Sequence, residues 1–105
     1  MGSYRGRLDI IADILNVVKG KAKKTQIMYQ ANLSFKVLQR YLGEIVEASL
    51  VNFDDGANCY VLTEKGVEFL SAYQKYSKTN KHIASRMSEA RSNKEFLEKL
   101  CSEQA

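Results

Sequence analysis

Apolar residues recur along the first part of the chain at the spacing of a helix face. Leu8, Ile11, Leu15 and Val18 follow i, i+3, i+4 steps, and Ile10, Ile14 and Val17 widen the stripe. The pattern predicts a first helix over about residues 5–19, buried on a broad face. Gly20 is placed to stop it as a C′ glycine, and Lys21-Ala22-Lys23-Lys24 reads as a loop. A short second helix opens at Lys24 or Thr25 and runs through Ala31, with Ile27 and Met28 inward. Asn32 tolerates the left-handed conformation that closes such a helix. Ser34 reads as the N-cap of a third helix reaching about Ala48, with Phe35, Leu38, Leu42, Ile45 and Val46 on its apolar stripe.

The period then changes. Leu50–Phe53 and Asn58–Leu62 are short β-prone runs around Asp54-Asp55-Gly56-Ala57, which predicts an antiparallel hairpin. Thr63 caps a fourth helix from Glu64, whose first apolar residues, Val67, Phe69, Leu70 and Tyr73, must pack on the same domain. Three helices, a hairpin and a further helix give a mainly α fold with a small β-hairpin, the winged form of helix-turn-helix. The domain is expected over residues 4–72 and a C-terminal helix over residues 73–105.

The fourth helix carries a heptad-like seam beyond the domain. Steps of 3.5 residues meet Phe69, Tyr73, Tyr76, Asn80, Ile83, Met87, Ala90, Lys94, Leu97 and Cys101, mostly apolar or small and flanked by polar residues. A helix from Glu64 to Cys101 is about 57 Å long at 1.5 Å per residue, and nothing else in the chain remains to cover its distal seam. A lone amphipathic helix is marginal in water, so the expectation is a coiled-coil homodimer through Tyr73, Tyr76, Asn80, Ile83, Met87, Ala90 and Leu97. Asn80 and Lys94 weaken that seam, and Ser92-Asn93-Lys94-Glu95 matches a capping box that would break the helix.

Charge sharpens the picture because it is unevenly placed. Net charge is +4, but residues 1–42 hold eight Lys/Arg against two acids, residues 43–72 one against six, and residues 73–105 seven against four. Such polarity is a footprint of a surface that meets an anionic polymer, although many basic faces are merely solvated. On the third helix Lys36, Gln39 and Arg40 sit toward the N-terminal half and Glu44 and Glu47 toward the C-terminal half. In a winged helix that N-terminal part enters the major groove, where Arg40 reaches a phosphate or a guanine edge and Gln39 an adenine edge. Lys23, Lys24 and Thr25, at the start of the second helix, favour phosphate. Arg5 and Arg7 are candidates to track the backbone from an N-terminal arm, and the Ser34 hydroxyl to meet a phosphate besides capping. Tyr29 reads as core edge, His82 as solvated, and Tyr73 and Tyr76 as packing residues in preference to a base-stacking platform.

Other chemistries find no support in the sequence. With one histidine and two distant cysteines, Cys59 and Cys101, a zinc site lacks ligands, and both thiols are expected free in a reducing compartment. No phosphate-cradling GxxxxGK[ST] loop, HExxH helix or GxSxG elbow is present, so no enzyme activity, cofactor or small-molecule ligand is expected. No apolar run approaches the roughly 18–20 residues that span a membrane, and no signal-peptide pattern occurs, so the expected location is cytoplasmic, on the nucleoid.

The run Lys24-Thr25-Gln26-Ile27-Met28-Tyr29-Gln30-Ala31-Asn32-Leu33-Ser34-Phe35 follows Leu8-Asp9-Ile10-Ile11-Ala12-Asp13-Ile14-Leu15 and precedes Arg40-Tyr41-Leu42 and Tyr60-Val61-Leu62-Thr63-Glu64-Lys65-Gly66. Over about residues 5–76 the chain closely resembles the small archaeal winged-helix DNA-binding proteins. In particular it is similar to the crenarchaeal chromatin-associated type with a C-terminal antiparallel coiled coil. The distal helix resembles that family in kind only. The resemblance implies double-stranded DNA as partner, a dimer with two widely separated winged domains, and roles in genome architecture, transcriptional regulation or both. The turn Asp54-Asp55-Gly56 departs from a basic wing, and acids at the tip repel phosphate. The competing expectation is a protein-interaction adaptor that uses the winged helix only as a scaffold, since fold does not dictate function; the basic starts of the second and third helices are what an adaptor would not need.

Overall fold

The computed structural model describes residues 5–102, so the expected domain start at residue 4 and the last three residues lie outside it. The order is α1 (Arg7–Val18), α2 (Lys24–Gln30), α3 (Phe35–Glu47), β1 (Val51–Asp54), β2 (Cys59–Leu62) and α4 (Glu64–Ser102). The chain divides into two units after Tyr73.

In the first unit, α1, α2 and α3 meet on Ile14, Leu15, Ile27, Leu38 and Ile45, all fully buried. Each such side chain contributes about 1.5–3 kcal/mol by leaving water. On α1 Ile11, Ala12 and Val18 are also inside, as the spacing predicts for Ile11 and Val18, but Leu8, the first residue of the predicted stripe, is 39% exposed because it lies at the open end of the helix. The α3 stripe is shifted from expectation: Tyr41 joins Leu38, Leu42 and Ile45 inside, whereas Phe35 is 59% and Val46 42% exposed. Both lie at the edge of the arc that the core can cover.

The helix ends use polar residues where glycine was the obvious candidate. Gly20 is not left-handed; Lys21 carries the positive φ of 62° after α1. Asn32 closes α2 as expected, at φ 54°, with Leu33 N–H donating to Met28 O and Asn32 N–H to Tyr29 O. The same two-bond closure recurs after α3 on Ser49 at φ 63°, with Leu50 N–H donating to Ile45 O and Ser49 N–H to Val46 O. Lys65 Nζ donates to Ala48 O at 2.7 Å, placing a cation on the carbonyl end of α3.

The hairpin pairs Val51 with Leu62, Asn52 with Val61, Phe53 with Tyr60 and Asp54 with Cys59. Alternation puts Val51, Phe53, Tyr60 and Leu62 on one face, of which Val51 is fully buried and Tyr60 and Leu62 pack on the core. The expected hairpin forms, and Asp55-Gly56 lies in its four-residue connection. Gly56 has no positive φ; the four-residue loop ends on left-handed Asn58, and Asp54 Oδ1 accepts from Gly56 N–H (3.0 Å) and Ala57 N–H (3.3 Å).

A contact that the sequence pattern did not announce ties the hairpin to the helices. Ala22, in the α1–α2 connection, exchanges both backbone hydrogen bonds with Tyr60: Ala22 N–H donates to Tyr60 O (3.1 Å) and Tyr60 N–H to Ala22 O (2.8 Å). What reads as a loop is thus a one-residue third strand beside β2.

Thr63 is the expected cap of α4: Gly66 N–H donates to its Oγ1 at 3.0 Å. The hydroxyl itself donates to Ser49 O at 2.7 Å, so one side chain joins the ends of α3 and the hairpin to the start of α4. Of the apolar residues in that first stretch, Leu70 is buried and Phe69 and Tyr73 pack on the core, but Val67 is 56% exposed. Gly66 is buried in its place, because a Cβ there would overlap the Leu50 carbonyl oxygen and lie 2.5 Å from Leu62 Cδ1. The Tyr73 hydroxyl donates to Asp9 Oδ1, while Asp9 Oδ2 accepts from Gly6 N–H at 2.9 Å. Those two bonds, the phenol's first, hold the Asp9 carboxyl below the ordinary carboxylate range. Cys59 is buried and Cys101 exposed, both as free thiols.

Two predictions follow from this packing. Gly66→Ala should lower unfolding stability by about 1–3 kcal/mol in urea melts through overpacking, whereas Gly43→Ala, with open space around a Cβ in α3, should raise it by about 0.5–1 kcal/mol. The Asp9 carboxylate, with its folded pKa depressed, adds stability above the ordinary aspartate range and loses it as pH falls through its folded value. Tyr73→Phe should therefore destabilise at neutral pH and lose that difference as pH falls through the folded Asp9 value, as followed by denaturant midpoints from neutral pH downward.

Candidate nucleic-acid interface

The Ala22–Tyr60 bridge fixes where the second helix begins, and with it Lys23 and Lys24. Lys23 is the N-cap residue of α2 in extended conformation, and Lys24 opens the helix. Ser34 caps α3 as expected, its Oγ accepting from Val37 N–H at 3.3 Å. That cap sets the rotation of α3, so that Phe35, Lys36, Gln39 and Arg40 all lie on its exposed surface.

The starts of the two helices and the wing close around one depression. Lys23, Lys24, Thr25, Met28, Phe35, Phe53, Asn58 and Tyr60 line a cavity of about 300 Å³. Lys24 Nζ stands 4.7 Å from the centre of the Phe35 ring, and Phe53 and Tyr60 pack edge-tilted across the strands at 5.0 Å. A neighbouring shallow groove brings Lys24 together with Gln39, Leu42, Gly43, Val46 and Tyr60. The structure thus gathers Lys23, Lys24, Thr25 and Gln39 around the wing, and Lys36 and Arg40 follow one helical turn apart on α3. Arg40 also lies over the Tyr41 ring, 5.7 Å from its centre.

The two N-terminal arginines are not part of this gathering. Arg5 Nη1 donates to Asp13 Oδ2 (2.9 Å) and to Ala31 O (2.7 Å), and its Nη2 donates to Asn32 O (2.9 Å). It therefore clamps α1 to the C-terminal end of α2, opposite the end that Lys23 and Lys24 occupy. Arg7 pairs with Glu44 on α3, which gives that acid a packing role besides its distance along the helix from Arg40. Among the described residues, Lys23, Lys24, Lys36 and Arg40 have no carboxylate partner, so their charge stays available to an external anion.

Sequence reasoning missed the aromatic share of this surface. The apolar stripe predicts Phe35 inside and Tyr29 at the core edge, yet Phe35, which lines the cavity, is 59% exposed, and Tyr29, which does not line it, is 77% exposed. The available signal was Leu38, Tyr41 and Ile45: centring the stripe on these three leaves Phe35 outside it. At the wing tip, Asp54 is committed to its own turn, which accounts for an acid at that position.

In the second unit, Tyr76, Ile83, Met87 and Leu97 are half or more exposed, and so are Phe96 and Leu100, which the expected seam did not include. Asn80 and Ala90 are exposed as well, whereas Tyr73 is half-buried and bonded to Asp9 in the first unit. α4 is helical through Ser92, with no break at the capping-box match. Among the described residues there is no cluster of groups that could hold a metal ion, and no helix is long and apolar enough to cross a membrane.

Comparison with known proteins places this geometry in context. A DNA-binding protein of Sulfolobus solfataricus, Sso10a-2, superposes with a TM-score of 0.78 at 26% identity, over 84% of this chain and 95% of that one. Lactococcus lactis ZitR, solved in complex with DNA, shares the fold with a TM-score of 0.52 at 16% identity, over 96% of this chain and 80% of that one. An uncharacterized protein of Methanocaldococcus jannaschii is 43% identical over 63 residues, which are 59% of this chain and 29% of that protein; the chain thus spans under a third of the length of this relative. The winged helix-turn-helix family model matches residues 4–81, and the chain belongs to that family.

Proposed function

We propose that this chain is a double-stranded DNA-binding protein, chromatin-associated or a transcriptional regulator, that works as a homodimer through α4. The observation that carries the reading is the division of labour among the basic residues. Arg5 and Arg7 are spent on internal ion pairs, while Lys23, Lys24, Lys36 and Arg40 stand without carboxylate partners at the starts of α2 and α3. In a winged helix this is the part that enters the major groove, with α3 leading. The likeness to a DNA-binding protein at 26% identity supports the same assignment.

Lys23, Lys24, Lys36 and Arg40 neutralise phosphates and supply most of the affinity, with Thr25 and the Ser34 hydroxyl adding neutral contacts. Gln39 and Arg40 are the residues placed to read base edges, and the exposed Phe35 ring offers an apolar contact to a thymine methyl. With so few readers, sequence preference is weak and the salt dependence steep. Dimerisation rests on the apolar residues of the second unit, Tyr76, Ile83, Met87 and Leu97, each half or more exposed.

Duplex titrations at two or more salt concentrations test the DNA reading. Lys36→Ala and Arg40→Ala should each weaken binding and flatten the slope of log affinity against log salt by about 1, with the circular dichroism unchanged. Unchanged affinity in both variants removes α3 from the interface, and no binding by the unaltered protein in dilute buffer ends the proposal. Light scattering tests the dimer: the expected mass is twice the 11.9 kDa of one chain, falling to the single value in Ile83→Glu/Met87→Glu. A single-chain mass for the unaltered protein refutes it.

A further inference from the structure

We infer that α4 carries a second interaction surface besides its apolar seam: the stripe of Lys75, Lys78, His82 and Arg86 contacts the phosphates of duplex DNA. This inference rests on the DNA-binding reading and extends it to the second unit.

The first observation is charge placement. Phe69 to Ser88 contains no Asp or Glu, while it holds Lys75, Lys78, Lys81, His82 and Arg86. From Glu89 to Ser102 the balance is restored, with Glu89, Glu95 and Glu98 against Arg91, Lys94 and Lys99. A helix face kept merely soluble gains from interleaved opposite charges at i, i+4, whereas like charges at that spacing cost helix stability. The distal segment has that interleaving in Arg91/Glu95, Lys94/Glu98 and Glu95/Lys99, whereas the proximal one has no opposite pair at i, i+4 and repeats like charges at i, i+3 in Lys75, Lys78 and Lys81.

The second observation is geometry. Lys75, Lys78, His82 and Arg86 follow steps of three and four residues, which on an α-helix gathers them within about 80° of arc. All four are exposed. Arg86 Nε donates to His82 Nε2 at 3.3 Å, which leaves the two terminal nitrogens of the guanidinium for other acceptors. The stripe is centred about 110° around the axis from Tyr76, Ile83 and Met87, so a partner helix seated on the apolar seam leaves it in solvent.

The third is complementarity. The stripe spans about 16 Å of helix axis, and B-form DNA presents about ten phosphate charges over that length. Three permanent cations in a row on the helix, with Glu89 one turn beyond Arg86 as the first acid that follows on that face, match a duplex backbone. Contacts of this kind carry no sequence information and add to affinity and salt dependence alone.

The test uses the full-length protein and a duplex of random sequence. Lys75→Gln/Lys78→Gln/Arg86→Gln removes the stripe, and Lys81→Gln/Arg91→Gln/Lys99→Gln removes the same charge from other faces of the helix. The stripe variant should flatten the salt slope by about 2–3, at about 0.9 per lost phosphate contact, while the off-stripe variant keeps the wild-type slope. Lys75→Arg/Lys78→Arg/Arg86→Lys, which conserves charge, should restore it, with helicity and mass measured for all three. A wild-type slope in the stripe variant overturns the inference and leaves the α3 reading standing. Equal losses in the two neutralised variants also overturn it, because the effect is then that of net charge. If the unaltered protein ignores DNA, both readings fall together.

Discussion

The pair of hydrogen bonds between Ala22 and Tyr60 is the constraint on which the binding surface depends. Without it the hairpin is two short strands, a unit of marginal stability in water. With it, β2 is flanked on both sides, and the chain entering α2 is held against the wing at a residue that is itself almost fully buried. Lys23 and Lys24 come next in the chain, so their position relative to Phe53, Asn58 and Tyr60 follows from backbone pairing and not from flexible side chains alone. The Thr63 side chain does the matching task on the other side, joining α3, the hairpin and α4.

That frame also explains how a chain with a modest net positive charge presents a concentrated one. Internal ion pairs consume basic residues where rigidity is needed: Arg5 caps the carbonyl end of α2 and Arg7 bridges α1 to α3. Both uses suit a guanidinium, which can address several acceptors in fixed geometry. Lys65 is spent likewise on the last carbonyls of α3. Lys23, Lys24, Lys36 and Arg40 keep their charge unpaired on the starting halves of α2 and α3, and Asp54, at the end of β1, is tied into the wing turn by its own hydrogen bonds.

The fold was legible in the sequence wherever a period or a cap carried it. The stripe of α1 from Ile11 to Val18, the Ser34 and Thr63 caps, left-handed Asn32 and the two strands all stand where local pattern puts them. What pattern could not supply were the features decided by a distant partner. Gly20 looked like the residue to reverse the chain after α1, yet Lys21 bears the positive φ, with its N–H bonded to Val18 O. Gly66 looked like an ordinary helix residue, and only the approach of Leu50 and Leu62 shows why no side chain fits. Of the candidate site, the lysines were legible by charge, but Arg5 and Arg7 have the same charge and another use, which only their partners reveal.

The exposed aromatic rings pose the remaining physical question, because an apolar surface of this kind normally costs solubility. Phe35 lies beneath the Lys24 ammonium, and Phe53 rests against Tyr60, so each ring has one face partly covered without being buried. A cation above a ring keeps the ring's surface polar in effect while leaving its edge available. The arrangement places an apolar contact beside unpaired positive charge at the start of the helix that leads into a groove. A purely electrostatic surface would have no need of the ring, and a purely structural one would have drawn Phe35 inward with Leu38.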